Sequence, residues 1–388
     1  VIIEFSASPS CQKALHSLVR TEDIRFSPNN RRLALADYGQ NRIMVFEVVL
    51  DSAAGIALTD WLEVSSEALD HPHGLDFIDD HTLIVGNRSG NVVIFALPAA
   101  ADGDLGRREA VPLRVLAANE TSLLKSPGSV AVGPALAGVC DVLVCNNSIN
   151  KITRHRLTLD GQFQVRDNEV LLHKHLNWPD GVTISGDGRW IAVTNLEAHN
   201  IFVYENTPTL HDQSIPDGIL RLAYHPHGVR FTPDGRHLLV SDAGAPYVHV
   251  YHDDGQGWWG VRQPVASVRV LSDQQFQSAR INELDGGPKG VDVSSDGQIM
   301  VVTSEAQPLA FFQMDAVLVR RPSRQASAQA VAAELYSLNR VRNRLEAYEA
   351  SLSWKVTAPL RSGLDTVVGW WRQLKRQGLA KLRGTRAV

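Results

Sequence analysis

His225-Pro226-His227-Gly228-Val229-Arg230-Phe231-Thr232-Pro233-Asp234-Gly235 is the stretch from which the fold can be read. Its strand segment returns in outline as Glu22-Asp23-Ile24-Arg25-Phe26, His73-Gly74-Leu75-Asp76-Phe77 and Gly128-Ser129-Val130-Ala131-Val132. It returns again as Asp180-Gly181-Val182-Thr183-Ile184 and Lys289-Gly290-Val291-Asp292-Val293. The first apolar residues of the six copies, at 24, 75, 130, 182, 229 and 291, lie 51, 55, 52, 47 and 62 apart. Alternation at period two marks each copy as a half-buried strand. A turn follows, written Ser27-Pro28-Asn29-Asn30, Ser185-Gly186-Asp187-Gly188, Thr232-Pro233-Asp234-Gly235 and Ser294-Ser295-Asp296-Gly297. Proline presets φ at the second turn position and glycine accepts the left-handed conformation. A second strand returns (Ile191-Thr194, Leu238-Val240, Ile299-Thr303) and a third follows (Asn91-Phe95, Asn200-Tyr204, Tyr247-Tyr251), while the fourth strands vary most.

Four short antiparallel strands cannot bury their faces alone, but six such sheets can do so around one axis. The expectation is an all-β, six-bladed β-propeller over residues 1–315, followed by a C-terminal α-helical extension, coiled-coil-like and amphipathic, over 316–388. The last repeat has only three clear strands before Asp315, so Val1-Phe5 is expected to supply its fourth and close the ring. These strand-turn-strand repeats resemble the NHL and lactonase-type propeller families over about Val1 to Asp315.

In this architecture the innermost strand starts, and the second strand ends, on one face near the axis. The start of the inner strand is read as Asp23, His73, Gly128, Asp180, His227 and Lys289. Two residues earlier lie Thr21, His71, Ser126, Trp178, His225 and Gly287. The second strands end at Asp37, Asn87, Asn146, Asn195, Asp242 and Ser304. The candidate channel-mouth residues are therefore Asp23, His71, His73, Asp180, Asn195, His225, His227 and Asp242. The two His-Pro-His-Gly copies belong to repeats two and five, which face each other in a six-fold ring. Imidazole with carboxylate is a common transition-metal donor set, so Asp180, His73 and His227 are the candidate ligands of a divalent metal ion. The same groups are suited to acid-base work. Against both stands the plainer reading, in which such residues pin loops and hold ordered water.

The string His225-Gly235 resembles blade sequences of lactonase-type propellers, and Trp178-Pro179-Asp180-Gly181 resembles the Pro-Asp-Gly strand start of gluconolactonase-like propellers. That resemblance implies Asp180 as a metal carboxylate. Those enzymes also use an Asn-Gly strand start and a Glu near the beginning of the propeller. No strand start here is Asn, and Glu4 and Glu22 lack the Glu-Gly-Pro context. No GxSxG elbow, Walker loop or HExxH helix is present. His173 and His175 are read as surface residues, and Trp258 and Trp259 as cover for a blade edge.

Hydrophobic residues make up 44% and charged ones 21%, which excludes disorder as the main state. Three cysteines without a CxxC pair exclude a disulfide framework and a zinc ribbon, and favour the cytoplasm. No run of eighteen apolar residues is present, so no transmembrane helix is expected. The sequence opens at Val1 without a positively charged n-region, so no signal peptide is visible, and the start is compatible with processing or trimming. The net charge of -4 is uneven: from Leu360 onward seven Lys/Arg face one Asp, a net of +6, leaving -10 for the rest.

After Met314 the spacing becomes helical. Val331, Leu335, Leu338, Val341, Leu345, Tyr348 and Leu352 trace a near-heptad seam, and residues 325–352 contain no Gly or Pro. A helix of that length measures roughly 40 Å and offers a surface for homo-oligomerisation. Ser351-Leu352-Ser353-Trp354-Lys355-Val356-Thr357-Ala358-Pro359-Leu360-Arg361 resembles the Ser-x-Ser-Trp-Arg-x-Thr-x-Pro-Leu-Arg segment at the ends of bacterial glycosyltransferases and related proteins of cell-surface polysaccharide assembly. Trp354 and Arg361 carry the match, and Lys355 replaces the usual Arg. Beyond it, Trp370, Trp371, Arg372, Lys375 and Arg376 suit an amphipathic helix on an anionic membrane surface.

Two functions follow from these features. The first is a non-catalytic propeller that binds a glycan or protein partner in bacterial polysaccharide assembly, cytoplasmic and held peripherally at the inner membrane by its tail. The second is a metal-dependent lactonase or sugar-ester hydrolase acting at the channel mouth. Nucleic acid is not an expected partner, since the body is acidic and no recognition module is present.

Overall fold

The six repeats fold as six sheets, each with its innermost strand at the axis. In the computed structural model, residues 2–51, 55–98, 106–117, 123–282 and 285–318 are described. The inner strands are Thr21–Phe26, Pro72–Asp79, Pro127–Val132, Pro179–Ile184, Pro226–Phe231 and Val291–Val293. Each pairs antiparallel with its second strand, and the sheets run outward in sequence order. The sixth blade closes as expected: Ile2–Ile3 pairs antiparallel with Ala310–Gln313, with Ile2 opposite Phe312 and Ile3 opposite Phe311. Phe5–Ala7 then joins Gly55–Ser65 in blade 1, so one short segment ties the last blade to the first. Two outer edges gain an extra parallel strand, Gly106–Glu109 on blade 1 and Gly260–Arg262 on blade 4.

The hydroxyl that opens four of the six inner turns explains their composition. Ser185 Oγ donates to Asp187 at 2.5 Å and accepts from Trp190 N at 2.9 Å. Thr232 makes the same pair of bonds with Asp234 and His237 at 2.6 and 3.0 Å. The fourth turn residue has positive φ, 73° at Gly188, 68° at Gly235 and 59° at Asn30. Apolar residues between these turns pack into clusters that each join two neighbouring sheets. Ala34, Ile43 and Val45 of blade 1 meet Leu75, Leu83 and Phe95 of blade 2, for example. Trp258 is fully buried between blades 4 and 5, whereas Trp259 is half exposed and packs edge-on against Trp190. His173 and His175 are exposed, as expected.

At the residue before the first apolar position of each inner segment, Gly74, Gly181, Gly228 and Gly290 among them, neighbouring backbones almost touch. A Cβ on Gly181 would lie 2.2 Å from the His227 carbonyl oxygen, and one on Gly228 would lie 2.4 Å from that of Lys289. Where the glycine is replaced, the side chain becomes a strut to the next blade. Asp23 Oδ2 accepts from Leu75 N at 3.1 Å, and Ser129 Oγ accepts from Val182 N at 3.4 Å.

Gly181→Ala is expected to destabilise the fold by about 2–4 kcal/mol in urea unfolding, since backbone rather than a flexible side chain must move. Gly186→Ala, whose Cβ would sit 3.4 Å from the Pro233 oxygen, should change stability by no more than about 0.5 kcal/mol.

Candidate functional site

The close approach of the inner strands brings together at the axis the residues two places before their first apolar positions. Those residues are Glu22, His73, Gly128, Asp180, His227 and Lys289. The first repeat therefore needs a correction of one position: Glu22, not Asp23, belongs to the ring. Asp23 occupies the strut position, where its carboxylate also pairs with Arg25 at 2.6 Å. The same shift places Arg20, rather than Thr21, above the ring, with Nε 2.5 Å from Glu22 Oε1.

Four ring side chains meet. His73 Nε2 and His227 Nε2 lie 3.4 and 3.5 Å from Glu22 Oε2, and His227 Nε2 lies 3.3 Å from Asp180 Oδ2. The two imidazoles are stacked, with centroids 5.3 Å apart. Lys289 Nζ donates to Glu22 Oε1 at 2.9 Å, while Glu22 Oε2 is buried without a hydrogen-bond partner. His73 Nδ1 bonds to the Gly128 carbonyl, which fixes its tautomer. Nδ1 carries the proton and Nε2 carries the lone pair.

Two further residues complete the cluster, each following the end of a second strand. Arg88 Nη2 reaches His73 Nε2 at 2.8 Å and Asp180 Oδ1 at 3.1 Å. Asn147 Nδ2 donates to the same Asp180 oxygen at 2.6 Å. Asn147 uses the space that Gly128 leaves, since a Cβ there would stand 2.1 Å from Asn147 Oδ1. The sequence signal for both residues lay in the column after Asn87 and Asn146.

Burial and partners set the charges. Burial opposes ionisation of Glu22, yet Lys289 and His227 hold its carboxyl well below the usual range. Asp180 is held down in the same way against burial, by His227 and Arg88. Burial, reinforced by Arg88, pulls His73 down to about 3, so it is neutral. Burial works against charge on His227 too, but Asp180 and Glu22 outweigh it and raise its pKa.

The remaining candidates serve the loops. Asp242 Oδ1 and Oδ2 accept from His225 N at 2.8 Å and Tyr224 N at 2.6 Å, and Asn195 Oδ1 accepts from Asn177 N at 3.2 Å. Asp37, Asn87 and Asn146 accept equivalent bonds from the segments before their inner strands. His71 is exposed, paired with Asp70 at 2.7 Å and set against Tyr38. His225 packs on Tyr224 and His199 rather than joining the ring. The residues of the tail, Trp354, Arg361, Trp370, Trp371, Arg372, Lys375 and Arg376, lie outside the described residues, as does the near-heptad seam of 325–352.

The mouth formed by the ring is closed. The void enclosed by Glu22, His73, Asp180 and His227 is about 10 Å3, enough for about one water-sized atom. Below it, Arg25 pairs with Asp23, and Arg230 Nε pairs with Asp292 at 2.8 Å and Nη1 with Asp76 at 3.5 Å, plugging the channel. At the opposite end, where the inner strands finish, a basin of about 500 Å3 opens on the axis. Phe26, Phe77, Ile184 and Phe231 wall it, and Asp76, Arg230 and Asp292 form its floor.

A divalent cation of the kind implied by the lactonase resemblance fits the ring's donors. Among the described residues, the donor atoms of Glu22, His73 and His227 lie within 4.8 Å of one another. The 3.4 and 3.5 Å separations of Glu22 Oε2 from the two imidazole nitrogens match the edge of a tetrahedron built on bonds of about 2.1 Å. The partnerless Glu22 Oε2 gives such an ion a ready ligand. The set differs from the expected Asp180, His73 and His227 in that Glu22 takes the place of Asp180, which among the three faces His227 alone.

No family model and no curated protein matches the chain. Solved structures similar to it include the Mitotic Checkpoint Complex, with 10% identity, TM-score 0.48, and coverage of 76% of this chain and 90% of that chain. Hydrazine synthase of Kuenenia stuttgartiensis gives 16%, 0.45, 76% and 84% in the same order. A functionally unknown protein from Desulfotomaculum acetoxidans gives 14%, 0.48, 76% and 83%. These likenesses carry nothing about function. No helix among the described residues is long and apolar enough to cross a membrane.

The stacked histidines should shape stability in opposite directions. His73 regains its ordinary value of 6.5 on unfolding, so the unfolded chain binds more protons and stability falls as pH drops from 6.5 toward about 3. His227 is raised in the fold, so its contribution is complete below 6.5 and is lost as pH rises through its folded value. Urea midpoints should peak near pH 6.5, with His73→Gln flattening the limb from pH 4.5 to 6.5 and His227→Gln the limb above it.

Proposed function

We propose that this chain is a non-catalytic binding propeller of bacterial cell-surface polysaccharide assembly, and that it takes a sugar unit in the basin opposite the ionic ring. One contrast carries this reading: the mouth rich in histidine and carboxylate is closed to about 10 Å3, whereas the far basin offers about 500 Å3. A basin of that size is within the range of small-molecule sites. Its apolar wall suits the face of a sugar ring. Its carboxylates accept from hydroxyls, and Arg230, with 26% of its side chain exposed, donates to ring or acyl oxygens. The assembly context rests on the likeness of Ser351–Arg361 to the polysaccharide-protein segment. The Trp-rich basic tail supplies attachment to an anionic membrane or to a partner protein.

Calorimetry of the full chain with capsule- or exopolysaccharide-derived oligosaccharides tests the basin. Gly186→Trp, at its rim, should weaken binding at least tenfold, while Glu22→Gln at the other end leaves it unchanged. Equal binding by Gly186→Trp would remove the basin from the reading. Truncation after residue 322 should release the protein from membrane fractions or from its partners, and unchanged fractionation would count against the tail's role.

The hydrolase reading draws on the convergence of Glu22, His73 and His227. It requires the closed mouth to admit a lactone or sugar ester. A metal-dependent lactonase rate in the full chain, abolished by Glu22→Ala, would put that reading first.

A further inference from the structure

We propose that Arg88 is a built-in stand-in for a divalent cation at the axial ring, so that the ring has two exclusive states, guanidinium-filled and metal-filled. The argument turns on one lone pair. His73 donates its Nδ1 proton to the Gly128 carbonyl, which leaves Nε2 as its single acceptor. Arg88 Nη2 takes that acceptor at 2.8 Å. A metal ion bound to Nε2 needs the same electrons, so both cannot be bound at once.

The second anchor of Arg88 is shared as well. Its Nη2 lies 3.1 Å from Asp180 Oδ1, while Asp180 Oδ2 faces His227 Nε2 at 3.3 Å. A cation held by Glu22 Oε2, His73 Nε2 and His227 Nε2 would replace the charge that Arg88 brings. Asp180 Oδ1 would keep its bond from Asn147 at 2.6 Å. The other cations of the cluster are placed differently. Lys289 and Arg20 both engage Glu22 Oε1 and leave Oε2 without a hydrogen bond. Arg88 alone of these three holds a donor atom of the proposed metal set.

Arg88 also has a way out. Its side chain is 21% exposed, whereas those of Asp180 and His73 are 3% and 4% exposed. The guanidinium can rotate toward solvent without unpacking a blade, and the ligands stay where the inner strands hold them. Two imidazole nitrogens and one carboxylate oxygen, with a water as fourth ligand, favour zinc, with cobalt(II) as a spectroscopic substitute.

The test uses the full chain, purified without a polyhistidine tag or chelator, and titrated with Zn2+ or Co2+ alone. Wild type should bind one equivalent, and Co2+ should give the intense visible absorption of a four-coordinate site. Arg88→Ala, which leaves every ligand intact, should bind Zn2+ about 10- to 100-fold more tightly, the range expected when a competing charged hydrogen bond is removed. In wild type, Zn2+ should also raise the exchange rate of the Arg88 side-chain N–H with water.

Unchanged or weaker binding by a folded Arg88→Ala would overturn the proposal. So would binding that survives Glu22→Gln, since the ion would then lie elsewhere. Should Glu22→Gln fail to fold, the shifts of the His73 and His227 ring protons by Co2+ in wild type decide the location, and unshifted rings overturn the site. Folded wild type and Arg88→Ala that both ignore millimolar Zn2+ would overturn it outright.

Discussion

At four of the six blade junctions the inner strands come so close at the axis that a side chain cannot stand between them. A Cβ at Gly74, Gly181, Gly228 or Gly290 would fall 2.2–2.8 Å from the backbone of the next blade. Most of the site follows from that approach. It narrows the axis until the preceding residues, one per blade, touch across it, and it removes water from around them. Desolvation of that kind disfavours charge on every group. The ring is tolerable only because each carboxylate has a cation: Lys289 for Glu22, and Arg88 with His227 for Asp180. Buried ion pairs of this sort offset their own desolvation rather than add much stability. What they supply is a fixed arrangement, since each pair joins different blades.

The repeat made the fold legible, because strand period agrees in all six copies and turn chemistry in four of them. Even the closing strand could be placed, since a six-fold ring with three strands in its last sheet needs a donor. The site was legible by column and misread in one row. Four repeats carry glycine at the strut position, and the first carries Asp23 instead. Without the glycine as a marker, Asp23 took the ring position that belongs to Glu22. The apolar column alone, counted back two places, identifies Glu22.

Roles were harder to read than places. Asn195 and Asp242 stand at the mouth in sequence, but a strand-ending acceptor beside a loop with unsatisfied N–H groups is drawn to the backbone. His71 and Asp70 point outward together, which no spacing rule foretells. Arg88 and Asn147 escaped notice because they reach the axis from the loop after the second strand. The place of Asn147 depends on Gly128 having no side chain, and that of Arg88 on partners in two other repeats, relations no single motif contains.

The two ends of the channel differ for a reason rooted in strand geometry. Inner strands enter the axis at the glycine constriction, and beyond it they carry Arg25, Asp76, Arg230 and Asp292, whose pairs fill the middle. Past that plug the strands end in large apolar residues that turn toward the inter-blade clusters, Phe26 and Phe77 among them. These residues stand around the axis rather than on it, and the basin is the space that they wall. The polar end is thus suited to holding a small cation among fixed ligands, and the opposite end to holding a molecule. A plug of paired charges lies between them, so each end can be occupied without solvent continuity to the other.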